Sequence, residues 1–207
     1  MSWINRLDCL IGEHVILEPL SLDHVPGLTL AASDGELWKL WFTQIPNAEG
    51  MKAYVEYALT CENNGEAVAF AVRDKVSGNI IGCTRICHWD QPNRRLEIGY
   101  TWYAKSYQRS AINTESKLLL LRYAFNTLDA IAVEFRTHWH NHASRNAIAR
   151  LGAKQDGILR NHKIQADGTI RDTVIFSIIE TEWPQVEHFL TSRLAHYQSL
   201  TLSTTTF

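Results

Sequence analysis

The sequence has no excess charge of either sign and no long apolar run. Its 20 basic and 22 acidic residues give 207 residues a net charge of −2, which provides no general attraction for nucleic acid or for an anionic membrane. No stretch approaches the roughly 20 apolar residues that cross a bilayer, because even the four leucines at 118–121 are flanked by Lys117 and Arg122. We therefore expect neither a nucleic-acid partner nor a membrane partner.

Cysteine is also scarce, with four thiols at Cys9, Cys61, Cys83 and Cys87. The first residues, MSWINRLDCL, lack the apolar core of a secretory signal, so a reduced, cytoplasmic setting is expected. Internal repeats and low-complexity linkers are absent from the sequence. A length of 207 residues with 45% hydrophobic content suits one domain over residues 1–207 and is short for two.

Periodicity of apolar residues predicts a mixed α/β layout. The three central strands are expected to form an antiparallel meander, and the tail 200–207 is expected to be disordered. The predicted elements are a strand at His14–Leu20, a helix at Ser21–Leu30 that Pro26 breaks or kinks, a helix at Met51–Leu59, strands at Ala67–Val72, Asn79–Cys87 and Leu96–Tyr103, a buried helix at Thr114–Asn126, a strand at Ile131–Thr137, a helix capped by Asn141, a hairpin at Gly157–Glu180 and a helix from Thr181.

A polar loop of small residues precedes the buried helix, in the segment YQRSAINTESKLLLLRYAF at Tyr107–Phe125. Such a loop presents unpaired backbone N–H groups, and the helix dipole favours an anion there. A pyrophosphate group fits this description.

This loop resembles the acetyl-CoA pyrophosphate loop of the GNAT superfamily, which reads Gln or Arg, two variable residues, Gly, one variable residue, then Gly or Ala. Ala111 and Asn113 depart from glycine at the two small positions. The resemblance implies acetyl-CoA as co-substrate and a mostly antiparallel twisted sheet flanked by helices. The residues expected to bind it are Gln108, Arg109, Ser110, Ala111, Ile112, Asn113, Thr114 and Asn141.

A second resemblance covers Val133–Pro184, which is similar to the ribosomal-protein N-acetyltransferase branch of this superfamily. The matching residues are Asn141, Ser144, Leu151, Gly152, Ala153, Gly157, Leu159, Arg160, Asp167, Gly168, Arg171, Asp172, Phe176, Ser177, Glu182 and Trp183. The similarity extends over about residues 12–183. It implies direct acetyl transfer to a primary amine, such as a peptide α-amine. The expected oligomeric state is a monomer or a homodimer, and the sequence does not distinguish them. His138 departs from the branch, in which an acidic residue is expected at this position.

Three residues are candidates for catalysis by the same resemblance. Strand alternation puts Glu97, Gly99 and Thr101 on one face and Leu96, Ile98, Tyr100 and Trp102 on the other. The resemblance implies that Glu97 takes the amine proton, directly or through water, and the alternative is a structural carboxylate paired with Arg94, Arg95 or Arg136. Asn141 is expected to orient a reactant and Ser144 to protonate the thiolate, whereas the alternative is helix capping alone.

Other interpretations remain open from the residues. A zinc enzyme would use His138, His140 and His142, or Cys83, Cys87 and His88, but no paired Cys-x-x-Cys motif accompanies them, so no metal is expected. A non-catalytic CoA-binding or sensor module would keep the fold alone. Polyamines or other small amines are alternative acceptors. The aromatic residues either wall a substrate cleft or belong to the core; they are Tyr100, Trp102, Trp38, Trp41 and Phe42.

Overall fold

The computed structural model describes residues 8–165 and 167–204, with side chains described through residue 197. The strands are β1 (Leu10–Ile11), β2 (Val15–Pro19), β3 (Ala67–Asp74), β4 (Ile80–Asp90), β5 (Arg95–Tyr103), β6 (Ala132–His138), β7 (Lys154–Ile164) and β8 (Ile170–Ile179). The α-helices are α1 (Val25–Ser33), α2 (Met51–Asn63), α3 (Ala111–Arg122), α4 (His142–Ala149) and α5 (Trp183–Thr204). A turn of π-helix at Tyr123–Thr127 extends α3.

All eight strands form one sheet in the order β1-β2-β3-β4-β5-β6-β8-β7. Neighbouring strands are antiparallel except for β5 and β6, which run parallel. A parallel pair needs a crossover connection, and α3 supplies it. The expected mixed α/β class with a mostly antiparallel sheet and flanking helices is confirmed.

The two faces of the sheet carry separate apolar layers. Alternate residues of β3 show the division, because Phe70 packs in the layer of α3, α4 and α5 while Ala69 and Ala71 pack in the layer of α1 and α2. Buried side chains at helical spacing place α2 on its layer, among them Val55 and Ala58. The sheet is therefore covered by helices on both faces.

Several boundaries differ from the sequence expectations. Pro26 does not break its helix, because it lies in the first turn of α1, where proline's missing N–H costs nothing. The buried helix begins three residues earlier than expected, at Ala111, because Ser110 caps it. The short edge strand β1 was not expected. Of the tail expected to be disordered, residues 200–204 continue the α5 helix and residues 205–207 lie outside the described residues.

Glu115 of α3 joins the helix to the start of β2. Its two carboxylate oxygens accept hydrogen bonds from the backbone N–H groups of Glu13, His14 and Val15 at 2.7–2.9 Å. Gly12 passes so close that an added Cβ would lie 2.5 Å from this carboxylate. The acid is 5% exposed, so these hydrogen bonds satisfy a charge that would otherwise be buried without partners.

A bulge interrupts β5 at Tyr100. Its φ is +52°, and the register of β4 against β5 shifts between Cys83 and Arg85. One extra residue moves every later side chain to the opposite face of the strand. Simple alternation therefore fails along β5 after Gly99.

The bulge changes which residues of β5 share a face of the sheet. Glu97 lies opposite Cys87, which packs on α2 through Cys61. Thr101, expected on the same face, instead accepts a hydrogen bond from Lys117 of α3 on the other side. Trp102 lies in the layer of α1 and α2, so its expected place on the opposite face from Glu97 is also wrong.

In residues 8–165 and 167–204, none of the helices combines the length and apolar character needed to cross a membrane.

Candidate active site

The sheet opens between β5 and β6. The two parallel strands pair only at Arg95–Glu97 with Ala132–Glu134. Beyond these positions, β5 continues to Tyr103 and β6 to His138, both fully described, with no further pairing between them. The strands therefore form a fork that is closed at Glu97 and opens toward their carboxyl ends.

Two helix N-termini lie at the open end of this fork. Helix α3 begins at Ala111, shortly after β5, and α4 begins at His142, shortly after β6. Neither helix carries an acidic residue in its first turn. The partial positive charge of each N-terminus is therefore not neutralised locally, which favours an anionic group in the fork.

The loop before α3 is held by its own hydrogen bonds. Gln108 Nε2 donates to the backbone oxygen of Tyr103 at 2.9 Å. Ser110 Oγ donates to the backbone oxygen of Tyr107 at 2.6 Å and accepts from the N–H of Ile112 at 3.3 Å. Arg109 takes a left-handed backbone, with φ +62°, and its side chain is exposed. The loop therefore presents a guanidinium beside the N-terminus of α3.

The predicted loop residues divide between backbone and side-chain roles. Ala111, Ile112 and Thr114 are at most 8% exposed, and the first two belong to the core beneath α3. Their side chains point inward, so they can meet a ligand only through the backbone. The methyl group of Ala111 consequently occupies core space instead of the space above the helix N-terminus, and Asn113 is half-buried.

Glu97 lies at the closed end of the fork and is 7% exposed. His88 Nδ1 is 2.9 Å from Oε2, and Arg136 Nε is 3.4 Å from the same oxygen. The hydrogen bond to Glu97 raises the pKa of His88. Of the three arginines considered as partners, only Arg136 pairs with Glu97 in the described chain, since Arg94 and Arg95 pair with Asp129 and Glu134.

The structure brings together a different set of potential metal ligands from the two sets proposed from the sequence. Among the described residues, one group of three potential ligands converges, with the ligand atoms of Cys87, His88 and Glu97 within 4.8 Å of one another. Cys83 lies elsewhere, with Sγ 3.3 Å from the hydroxyl of Tyr54. Burial raises the pKa of the Cys87 thiol, and the guanidinium of Arg136 lies beside the same carboxylate. Both effects oppose binding of a divalent cation.

Asn141 and Ser144 lie together at the start of α4. Asn141 is the N-cap residue, and its Oδ1 accepts from the backbone N–H of Ser144 at 3.0 Å. Both residues are half-buried. The cap uses the oxygen of Asn141 and the backbone of Ser144, so the amide N–H₂ of Asn141 and the hydroxyl of Ser144 are not consumed by it.

His138 ends β6 and is covered by the loop between α1 and α2. Its ring centroid is 5.0 Å from that of Trp41 and 5.6 Å from that of His140. Burial, more than the nearby charges, lowers its pKa, so the ring is neutral near pH 7. The N–H of His140 donates to Nδ1, which leaves the proton on Nε2. That atom is buried without a hydrogen-bond partner among the described residues.

Two buried cations were not found by sequence reasoning. Arg85 of β4 is 1% exposed and Lys117 of α3 is 4% exposed. They lie on opposite faces of the sheet, near the β5 bulge. The sequence pattern that indicates such a buried cation is a single charged residue in an otherwise apolar stretch. Arg85 lies in IIGCTRIC, and Lys117 begins KLLLL.

Comparisons with known proteins agree with this geometry. Residues 14–154 match the model of the family described as "Acetyltransferase (GNAT) domain". The chain is 27% identical over 180 residues to "Putative ribosomal N-acetyltransferase YdaF" of Bacillus subtilis (strain 168), covering 84% of this chain and 96% of that protein. A GCN5-related N-acetyltransferase structure from Brucella melitensis has a TM-score of 0.82 and 30% identity, covering 90% and 85% of the two chains. RimL, titled a ribosomal L7/L12 alpha-N-protein acetyltransferase, shares the fold with a TM-score of 0.73 at 17% identity, covering 83% and 93%.

Proposed function

This chain belongs to the GNAT acetyltransferase family and is an acetyl-CoA-dependent N-acetyltransferase, and from that premise we propose that its acceptor is a primary amine, foremost the α-amine of a peptide. The acetyl group passes directly from co-substrate to amine. The observation that carries the proposal is the fork between β5 and β6. Its open end has two helix N-termini, and its closed end has the buried carboxylate of Glu97.

The N-terminus of α3 fits a pyrophosphate. Exposed Arg109 supplies a full positive charge, and the first turn has backbone N–H groups without intrahelical acceptors. Because the Ala111 methyl is buried in the core, the absence of glycine does not obstruct these groups. Bound there, acetyl-CoA supplies the acetyl group as an activated thioester.

Glu97 and His88 are proposed to remove the proton of the acceptor. An ammonium group has no free electron pair, so the attacking amine must lose a proton before or during transfer. Glu97 accepts that proton, and His88, whose side chain is 62% exposed, carries it onward to solvent. Arg136 fixes the orientation of the carboxylate from the other side.

Asn141 and Ser144 are proposed to act at the departing thiolate. The hydroxyl of Ser144 is placed on the first turn of α4, where the helix N-terminus stabilises nearby negative charge. It donates a proton to the thiolate as the C–S bond breaks and takes a proton back from water, while the amide N–H₂ of Asn141 holds the pantetheine arm. The capping hydrogen bond between the two residues fixes their relative positions.

The charges around Glu97 favour a peptide α-amine over a polyamine. His88 and Arg136 contact this carboxylate, and the charge of Glu97 also acts on Arg171. A polycation would meet these positive groups at close range, which costs energy in a partly buried site. The names of YdaF and RimL point to ribosomal proteins as their substrates, which supports a peptide acceptor here.

A mass-spectrometric panel tests the proposal. Isotope-labelled acetyl-CoA is incubated with the protein and with peptides that have free or blocked α-amines, each matched by a polyamine at the same concentration. Acetylation of the free-amine peptides at the α-nitrogen is expected. Label on polyamines alone would exclude the peptide assignment, and label on the blocked peptides would place the reaction on a side-chain amine.

A further inference from the structure

Arg85 is a buried cation that has no anionic partner among the residues whose side chains are described. Among them it is the largest fully buried side chain, and both its Nε and its Nη2 are buried without a hydrogen-bond partner. None of the ion pairs among the described residues includes it. Burying a guanidinium without a carboxylate is costly, and buried donors without partners require an explanation.

Aromatic rings surround the guanidinium instead. Its central carbon is 4.4 Å from the ring centroid of Tyr100, 4.8 Å from that of Tyr54 and 6.0 Å from that of Tyr57. Cation–π contacts offset part of the burial cost but leave Nε and Nη2 without hydrogen-bond partners among the described residues. Tyr57 and Tyr100 are 59% and 41% exposed, so these two rings lie on the solvent side of Arg85.

Arg85 lies on the same face as the candidate base. It pairs with Gly99 across the β4–β5 ladder, and Glu97 precedes Gly99 by two residues. Such diagonal neighbours are roughly 7–8 Å apart. An extended chain advances about 3.5 Å per residue, so a group bound at Arg85 lies one or two residues from an amine at Glu97.

We propose that Arg85 binds a carboxylate of the acceptor, located one or two residues from the amine that is acetylated. This inference rests on the proposed function and specifies its substrate class. A guanidinium recognises a carboxylate through two parallel hydrogen bonds, and Arg85 has two unused N–H groups for them. The carboxylate is either an acidic side chain at position 1 or 2 of a peptide or the α-carboxylate of a free amino acid.

Matched acceptors distinguish these sources. C-terminally amidated tetrapeptides carry Asp or Asn at position 1 or 2, and alanine is compared with alaninamide. We expect kcat/KM to be at least about tenfold higher for the carboxylate member of the preferred pair. A preference confined to the peptide pairs assigns the acidic side chain, and one confined to alanine assigns the α-carboxylate. Equal rates within every pair would overturn the proposal.

Variants connect this preference to the residue. In Arg85→Met, the ratio of kcat/KM between the carboxylate member and the neutral member of the preferred pair should fall close to one. Arg85→Lys should retain part of this preference. Arg94→Met, at an exposed position, is the control and should retain all of it. A normal CoA-induced rise in melting temperature checks that each variant is folded. A full preference retained in folded Arg85→Met contradicts the assignment.

A binding measurement separates this proposal from the proposed function. If none of the acceptors is acetylated, the acceptor class is wrong, yet succinate titrated calorimetrically still probes the anion site. Wild type should bind succinate at least about tenfold more tightly than Arg85→Lys, because lysine cannot form the paired hydrogen bonds. Equal succinate affinities would overturn the role of Arg85.

Discussion

Replacing Lys117 with methionine should stabilise the folded protein, and more strongly at pH 6 than at pH 9.5. The amine lies between α3 and the sheet, donating to Thr101 and, at 3.2 Å, to Thr84. Burial lowers its pKa from 10.5 to about 7. Methionine has a similar length and no charge, so it can fill the site without this cost.

The expected size follows from proton linkage. Below pH 7 the amine of Lys117 is protonated in both states, and the full cost of burying its charge is present. Between about 7 and 10.5 the unfolded chain binds more protons, so stability rises with pH until the cost disappears. At about 1.4 kcal/mol per pH unit, this interval sets an upper limit of about 5 kcal/mol. The methionine variant also loses the two hydrogen bonds of the amine, which lowers this gain by about 1 kcal/mol each. The expected net increase in the free energy of unfolding is therefore roughly 2–3 kcal/mol.

Thermal unfolding at pH 6 and pH 9.5 measures this difference. Lys117→Met should melt roughly 5–10 °C above wild type at pH 6, at 2–4 °C per kcal/mol, and the gap should shrink at pH 9.5. Lys52→Met serves as the control, because that side chain is 71% exposed. A lower melting temperature for Lys117→Met at pH 6, or a gap independent of pH, would refute the reasoning.

Three further predictions concern the co-substrate site, the base and the sheet. Arg109→Glu should weaken CoA binding by roughly tenfold or more by calorimetry, because it puts a negative charge beside the pyrophosphate, while Lys52→Glu should not. Glu97→Gln should lower kcat about 100-fold at neutral pH with CoA affinity unchanged; an unaltered pH-rate profile would assign Glu97 to structure. Gly82→Ala should lower the melting temperature by at least about 5 °C, because its Cβ would lie 2.1 Å from the Trp102 oxygen. Gly157→Ala, with open space around it, should change it little.

Apolar patterning predicted most elements. Helical spacing in α2 reflects one buried face, whereas β3 and β4 are short apolar runs because both of their faces are buried. The polar, small residues between two apolar runs predict a loop before α3, which the structure has at residues 108–110, whereas residues 111–114 form the first turn of the helix. The sequence also put Asn141 at an N-cap, where the structure has it.

The periodicity of apolar residues does not predict the β5 bulge or the two buried cations. Tyr100 has no sequence feature that marks a left-handed backbone, so alternation was carried one residue too far and Thr101 was placed on the wrong face. The partners of Glu97 depend on which of several arginines the fold brings near, and only long-range pairing decides that. The tyrosines around Arg85 come from α2 and β5, which are far apart in sequence.

The contact of Glu115 with the start of β2 couples residues 13–15 to the N-terminal part of α3, where the pyrophosphate is proposed to bind. The two segments therefore belong to one cooperative unit. Glu115 follows the first turn of α3, and its carboxylate accepts hydrogen bonds from the backbone N–H groups of residues 13–15. Those amide protons should therefore exchange with solvent only when their hydrogen bonds to this carboxylate open. Proteolytic removal of residues before 16 would take away all three donors and the backbone of Gly12 that covers the carboxylate. Such proteolysis at the edge of the sheet would lower the local stability of the start of α3 and weaken its binding of a pyrophosphate.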